Sequence, residues 1–129
     1  MNTSTFVPRI NIKRLAEDLD TMASLTEPER PYTRRAFTDV YLEGRRWLAA
    51  RMRDAGLKVF IDAAGNLIGR LEGKDDSLAP IMIGSHTDTV VSGGRFDGVV
   101  GVLGALEALR VLTEAGYRLR HPVEVVDFL

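Results

Sequence analysis

The chain has 129 residues, of which 45% are hydrophobic and 27% are charged, a composition typical of one soluble domain with one core. Its 17 basic and 18 acidic residues give a net charge of −1, so no summed field attracts nucleic acid or an anionic membrane. It has no cysteine, which excludes disulfides and thiolate metal sites and fits a reducing compartment. Any metal site must therefore use nitrogen and oxygen ligands.

The sequence contains no candidate targeting or membrane segment. The first residues, Met1 to Arg9, lack a charged region followed by an apolar run, so they do not resemble a secretory signal. The longest apolar stretch, Val99 to Leu112, is too short to span a bilayer and is interrupted by Glu107 and Arg110. We therefore expect a cytoplasmic protein without membrane or nucleic-acid partners.

The first predicted element is a helix that begins after Asn11, a favourable N-cap, and ends near Leu25. Its apolar residues recur at three- and four-residue steps and predict one buried face, which comprises Ile12, Leu15, Leu19, Met22 and Leu25. Residues 26–35 contain two prolines and no periodicity. They are predicted to form a loop over the surface.

The second predicted helix begins at Thr38, a good N-cap, with Asp39 in its first turn. It ends at Gly56, and its apolar stripe comprises Val40, Gly44, Trp47, Leu48, Met52 and Ala55. Two arginine pairs lie in this half of the chain, Arg34-Arg35 and Arg45-Arg46. We interpret them as a solvated helix face rather than a nucleic-acid patch.

A β-hairpin is predicted next, formed by Leu57–Ile61 and Asn66–Leu71. The connection Asp62-Ala-Ala-Gly65 supplies a glycine for the positive φ that such a turn requires. A second turn follows at Gly73–Ser77, and it precedes a short apolar strand that begins at Pro80.

The last part of the chain predicts a strand–helix–strand unit from Ile81 to Leu129. Its helix runs from Val99 to Ala115 with Gly116 as its stop, and its final strand runs from Pro122 to Leu129. The order of elements predicts an α/β fold with a mixed sheet, a β-hairpin and a right-handed parallel crossover. The apolar terminal strand is expected to form an uncovered edge open to association.

The most informative motifs are Gly84-Ser-His-Thr-Asp-Thr-Val90 and Gly93-Gly-Arg-Phe-Asp-Gly98, which lie between the Ile81 strand and the following helix. His86 and Asp97 are candidate metal ligands. Asp88, two residues after the histidine, can accept a hydrogen bond from the ring nitrogen that a metal does not use. Ligands in open α/β sheets bind in the crevice at the carboxyl ends of the strands, which is where these residues are predicted to lie.

Simpler interpretations exist for parts of this pattern. Asp88 can instead cap its loop through backbone N–H groups, and His121, before Pro122, is expected to be a solvent-facing turn residue. The glycines Gly98, Gly101 and Gly104 lack the spacing of a dinucleotide fingerprint. We instead expect their small size to let the helix pack close to the sheet.

The two motifs, together with Asp62-Ala-Ala-Gly-Asn66, resemble the hydantoinase/carbamoylase family of amidases. That family includes N-carbamoyl-L-amino acid hydrolases, allantoate amidohydrolases and β-ureidopropionases, and it is related to the two-zinc aminopeptidase-like hydrolases. The resemblance extends from about Ile10 to Leu129. It implies a partial zinc aminopeptidase-like catalytic domain.

The resemblance also implies roles for individual residues. His86 would bind one of two divalent ions, zinc or alternatively manganese, and Asp97 would bridge both ions. Asp88 would have a catalytic role, because it orients His86. The implied reaction is hydrolysis of a non-peptide C–N bond in a small-molecule substrate, an N-carbamoyl amino acid or an allantoate-like compound, by a protein that forms a homodimer.

Other groups that the family needs have no counterpart in the sequence, namely an acidic pair, further histidines and a smaller second domain. We therefore expect residues 1–129 to be the N-terminal part of a catalytic domain, truncated before the acidic pair and inactive alone. Two alternatives stay open. One is a catalytically dead interaction module that associates through its terminal strand, and the other is a related hydrolase that cleaves dipeptides.

Overall fold

The computed structural model describes residues 7–129, so the prediction about the extreme amino terminus lies partly outside the described residues. The order of elements in the described part is α1 (Ile12–Ser24), α2 (Asp39–Asp54), β1 (Lys58–Ile61), β2 (Leu67–Leu71), β3 (Ile81–Ser85), α3 (Val99–Glu114) and β4 (Val123–Asp127). This confirms the predicted α/β class. No helix within residues 7–129 is long and apolar enough to cross a membrane.

Both predicted helix caps are present. The Asn11 side chain accepts a hydrogen bond from the backbone N–H of Arg14, and Thr38 accepts one from Tyr41. The buried face of α1 is confirmed at Met22, which is fully buried, but not at Ile12, whose exposed fraction is 67%. Periodicity assigns Ile12 to the stripe, but it does not show that the first turn of the helix extends past the core.

One four-stranded sheet contains all four strands, in the order β1-β2-β4-β3. β1 and β2 form the predicted antiparallel hairpin, and Gly65 in its turn has a φ of 90°. β2 and β4 are also antiparallel, whereas β3 and β4 are parallel. The mixed sheet and the parallel connection through α3 are therefore as predicted.

The expectation of an unpaired terminal strand is wrong. β4 pairs with β2 on one side and with β3 on the other, and all five of its residues are buried. The edge strands are instead β1 and β3, and in β3 the exposed fractions of Ile81, Met82 and Ile83 are 41–53%. β4 is thus a central strand, although its sequence includes Glu124 and Asp127 among the apolar residues.

The core lies between the helices and one face of the sheet. α2 contacts β1 and β2, α3 contacts β3 and β4, and α1 packs on α3. Leu67, Val123 and Val125 supply the sheet side of this core. Because β3 and β4 are parallel, their carboxyl ends lie at the same edge of the sheet, with Ser85 paired to Asp127. The loop that carries the motifs begins at this edge.

Candidate metal centre

The predicted ligands lie in the loop between β3 and α3. His86 follows the last residue of β3 directly, and Asp97 lies two residues before the first residue of α3. The loop thus opens at the carboxyl end of the sheet, the usual location of ligands in α/β folds. This is the position that the motif spacing predicted.

The imidazole of His86 contacts Asp88 through its Nδ1 atom. Nδ1 lies 3.0 Å from the backbone oxygen of Asp88 and 3.2 Å from its carboxylate Oδ1. Both partners are acceptors, so the neutral ring holds its proton on Nδ1 and leaves Nε2 with a free lone pair. The carboxylate of Asp88 therefore lies where an orienting role requires it, which favours that role over loop capping.

The other ring nitrogen faces the second candidate ligand. His86 Nε2 lies 3.8 Å from Asp97 Oδ2, too far for a hydrogen bond. Metal–nitrogen and metal–oxygen bonds are each about 2 Å long, so one ion fits between these two atoms. The exposed side-chain fractions are 39% for His86, 37% for Asp88 and 78% for Asp97, so the position is open to solvent.

The described residues supply only part of a metal shell. Within residues 7–129 no group of three or more His, Asp or Glu side chains is arranged to hold an ion. His86 and Asp97 have the nitrogen and oxygen donors that zinc accepts. They fit two positions of a zinc site, whose other ligands this part of the chain does not bring together.

Gly98 permits the close approach of α3 to His86. Its φ is +69°, and a Cβ atom added there would lie 2.5 Å from the ring atom Cε1 of His86 and 2.4 Å from the His86 carbonyl oxygen. A side chain at this position would displace the imidazole. One turn further along α3, a Cβ on Gly101 would lie 2.6 Å from Cβ of Ser85, as the predicted close packing of helix and sheet requires. The same prediction is wrong for Gly104, where a Cβ would meet nothing within 4 Å.

A set of buried polar residues behind the loop was missed from the sequence. Thr87 is fully buried, and its hydroxyl donates to Asp127 Oδ2 at 3.0 Å. Arg45 Nε lies 3.2 Å from the same oxygen. Burial raises the pKa of Asp127, and the nearby Arg45 and the hydrogen bonds from Thr87 oppose that increase. An acidic residue at the carboxyl end of an apolar strand was a signal that pointed to Asp127.

Arg34 belongs to the same buried set, so the solvated-face interpretation is wrong for Arg34, whereas Arg35 is exposed as that interpretation expects. The exposed fraction of Arg34 is 2%, and its Nε donates to the Thr87 carbonyl oxygen at 2.9 Å. Its Nη1 donates to the carbonyl oxygens of Met22 and Leu25 at 2.7 and 2.8 Å. Arg45 is likewise turned inward, with 11% of its side chain exposed. Neither position follows from the local sequence, because both depend on distant acceptors.

The prediction of a purely superficial loop at residues 26–35 is also wrong in part. Thr33 is fully buried, and its hydroxyl accepts a hydrogen bond from the backbone N–H of Ser92 at 2.8 Å. Arg34 and Thr89 exchange two further bonds, of 2.8 and 2.9 Å. This segment therefore docks against the motif loop.

His121 is remote from this site, as expected for a turn residue. It lies before β4, at the opposite end of that strand from Asp127. It is half-buried rather than fully solvent-facing, because its Nδ1 contacts the carbonyl oxygen of Ala79 at 2.8 Å.

The chain is similar to known proteins in sequence and in structure. A sequence model of Peptidase family M28 matches residues 66–128, which include both motifs. An N-carbamoyl-L-amino acid amidohydrolase from Geobacillus stearothermophilus is 44% identical over 102 residues, which are 79% of this chain and 25% of that protein. The crystal structure of a hydantoinase/carbamoylase family amidase from Burkholderia ambifaria is 44% identical and superposes with a TM-score of 0.89 over 95% of this chain. The chain belongs to the hydantoinase/carbamoylase family.

The matches extend over most of this chain but over only a small part of each relative. A ureidoglycolate hydrolase from Oryza sativa is 39% identical over 115 residues, which are 88% of this chain and 24% of that enzyme. The Burkholderia ambifaria amidase has 30% of its length covered. The chain thus spans about a quarter to a third of the length of the family members it matches.

Proposed function

We propose that this chain supplies part of the metal site of a zinc-dependent amidohydrolase. The proposed reaction is hydrolysis of a non-peptide C–N bond in an N-carbamoyl amino acid or an allantoate-like ureido compound. One observation carries the proposal: the His86 ring has Nδ1 against Asp88 and Nε2 directed at Asp97. That arrangement places a nitrogen lone pair and a carboxylate oxygen on either side of one position.

Each residue of the site has a separate task in this proposal. His86 Nε2 and Asp97 Oδ2 would hold the metal, and Asp88 would keep the His86 proton on Nδ1. Bound zinc in hydrolases activates water and polarises the carbonyl group under attack. The open position of Asp97, with 78% of its side chain exposed, leaves room for a second ion and for substrate. The homodimer implied by the resemblance and the cytoplasmic location expected from the composition and segments of the sequence stay predictions.

The substrate class rests on the relatives rather than on a pocket of this chain. The similar proteins include N-carbamoyl-L-amino acid amidohydrolases, ureidoglycolate hydrolases and an allantoate deiminase. Their named substrates share a ureido or amide C–N bond in a small molecule. A dipeptide is the second candidate, because the family model that matches residues 66–128 is a peptidase model.

Zinc titration of the chain by calorimetry tests the metal site. We expect weak binding, since His86 and Asp97 leave most coordination positions to water, and loss of that binding in His86→Ala. Asp88→Asn should weaken zinc binding by about 10- to 100-fold, the usual effect of removing an orienting partner. His121→Ala is the matched control and should bind as the unaltered chain does. Tight binding that survives His86→Ala would place the metal elsewhere.

An activity assay tests the reaction and separates the two substrate classes. We expect no turnover by this chain alone, because its described residues bring only two ligands together and general acid–base catalysis needs a further positioned group. A version extended with the remaining family sequence should hydrolyse N-carbamoyl amino acids or allantoate when zinc or manganese is added. Turnover of a dipeptide in preference to both would support the peptidase alternative.

A further inference from the structure

Thr87 lies between His86, a proposed metal ligand, and Asp88, its proposed orienting partner, but the Thr87 side chain faces the opposite way. Its side chain is fully buried, whereas His86 and Asp88 have more than a third of their side chains exposed. Thr87 therefore points inward, and its neighbours His86 and Asp88 point outward. Thr87, like the buried Thr89 two residues further on, faces the rest of the fold, which can hold the loop there.

The side chain of Thr87 is held by β4 and α2. Its hydroxyl donates to Asp127 Oδ2 at 3.0 Å, and Arg45 Nε lies 3.2 Å from that same oxygen. Arg45 is itself fixed, because its Nη2 donates to the carbonyl oxygen of Gly65 at 2.8 Å. The Asp127 carboxylate is fully buried, so its bond to the hydroxyl does not compete with bulk water.

The backbone of Thr87 is held from a third direction by Arg34. The buried guanidinium donates through Nε to the Thr87 carbonyl oxygen and through Nη1 to the end of α1. The carbonyl of Thr87 belongs to the peptide plane that leads to Asp88. Fixing that plane fixes the position of the Asp88 Cα atom, from which both Asp88 acceptors extend toward His86 Nδ1.

From these contacts we infer that Thr87 is a positioning residue, held by Asp127 and Arg34 so that the His86 imidazole keeps its proton on Nδ1 and its Nε2 open toward Asp97. The inference rests on the proposed function insofar as His86 is a metal ligand. Its physical content is independent of metal: removing the Thr87 hydroxyl should release the ring from one tautomer.

The test is nitrogen-15 NMR of the imidazole rings in the 129-residue chain without metal, recorded at rising pH until the ring shifts no longer change. In the unaltered chain the two ring nitrogens of His86 should have well-separated shifts, with Nε2 of the unprotonated type. In Thr87→Val that separation should fall by about half or more, because the ring then samples both tautomers. Thr87→Ser keeps the hydroxyl and should restore the original shifts.

Two controls separate positioning from general destabilisation. Thr33→Val removes a hydroxyl of equal burial that bonds Ser92 in the middle of the loop, and it should leave His86 unchanged. His121, at the other end of β4, is an internal reference in every spectrum. The dispersion of core methyl signals verifies folding, and Thr87→Ala replaces Thr87→Val if the valine variant does not fold.

The inference is overturned if Thr87→Val leaves the His86 shifts unchanged, or if Thr33→Val changes them equally. It is also overturned if the unaltered chain already shows averaged nitrogens. The zinc titration with His86→Ala is an independent test of the metal site, since the ring spectra are recorded without metal. Failure of the positioning role and failure of the metal site are therefore read from different measurements.

Discussion

The two sides of the motif loop differ in solvent exposure and in hydrogen bonding. The outward side presents His86, Asp88 and Asp97, which are partly or largely exposed. The inward side presents Thr87 to Asp127 and Arg34, each at most 2% exposed and joined by hydrogen bonds of 2.9 to 3.0 Å. The outward side, which would bind the metal, has few contacts of its own. The inward side takes no part in the proposed chemistry, but its hydrogen bonds hold the loop in place.

This difference shows that the orientation of exposed ligands can be set by buried residues on the other side of the same loop. Solvent-exposed ligands gain little from packing, so their orientation must come from backbone held elsewhere. Buried polar networks are suited to this, because every unmade bond in them is costly and a single arrangement results. Three variants break or sharpen this contrast, and they are given from the largest expected effect to the smallest.

The largest effect is expected from Arg34→Met, which keeps the length of the side chain but removes its donors. Three carbonyl oxygens, of Met22, Leu25 and Thr87, lose the guanidinium that satisfies them. The free energy of unfolding should fall by about 3 to 5 kcal/mol in urea titration. Arg35→Met is the matched control: its side chain is 51% exposed and pairs with Glu27, so the change should be small. An equal loss of unfolding free energy in both variants would show that the buried hydrogen bonds of Arg34 contribute no more to stability than an exposed ion pair.

An intermediate effect is expected from Gly98→Ala, which pushes a methyl group into His86. Gly98 and Gly116 share a φ of +69°, but a Cβ on Gly116 meets nothing within 4 Å. Gly116→Ala should therefore cost only the left-handed strain, roughly 1–2 kcal/mol. Gly98→Ala adds overpacking against the imidazole and should reach about 3 kcal/mol in the same urea titration. If Gly98→Ala lowers the free energy of unfolding no more than Gly116→Ala does, the His86 side chain can move aside at little energetic cost.

The smallest effect is a pH dependence that differs in sign between two aspartates. Burial raises the pKa of Asp127, so the folded protein binds that proton more tightly than the unfolded chain. Stability from this group is therefore lost as the pH rises from about 4 through the raised pKa. Hydrogen bonds from Asn66 and from the loop backbone lower the pKa of Asp62. Stability from Asp62 is present above about pH 4 and is lost as the pH falls through its lowered pKa.

Urea titrations between about pH 3 and 7 check these signs. The stability of Asp127→Asn relative to the unaltered chain should improve as the pH rises. The stability of Asp62→Asn should become relatively worse over the same range. Parallel slopes for the two variants would contradict the assignment of Asp127 as a carboxyl whose burial disfavours its charge.

The local features of the fold were predictable from the sequence because they depend on neighbours along the chain. Asn11 and Thr38 cap their helices, and Gly65 supplies the positive φ of the hairpin. The position of His86 and Asp97 between a strand and a helix was predictable for the same reason. Spacing of a few residues sets caps, turns and strand-to-helix loops, and it needs no knowledge of distant contacts.

The sequence by itself determined the element order and the candidate ligands, and the tertiary structure decided what surrounds them. Only the fold brings Asp127 to Thr87 across 40 residues and Arg34 to Thr87 across 53. Only the fold makes β4 a central strand and leaves β3 at the edge. The physical reason is that burial and strand pairing depend on contacts between distant segments, and an apolar run or an arginine pair has the same local pattern in several such arrangements.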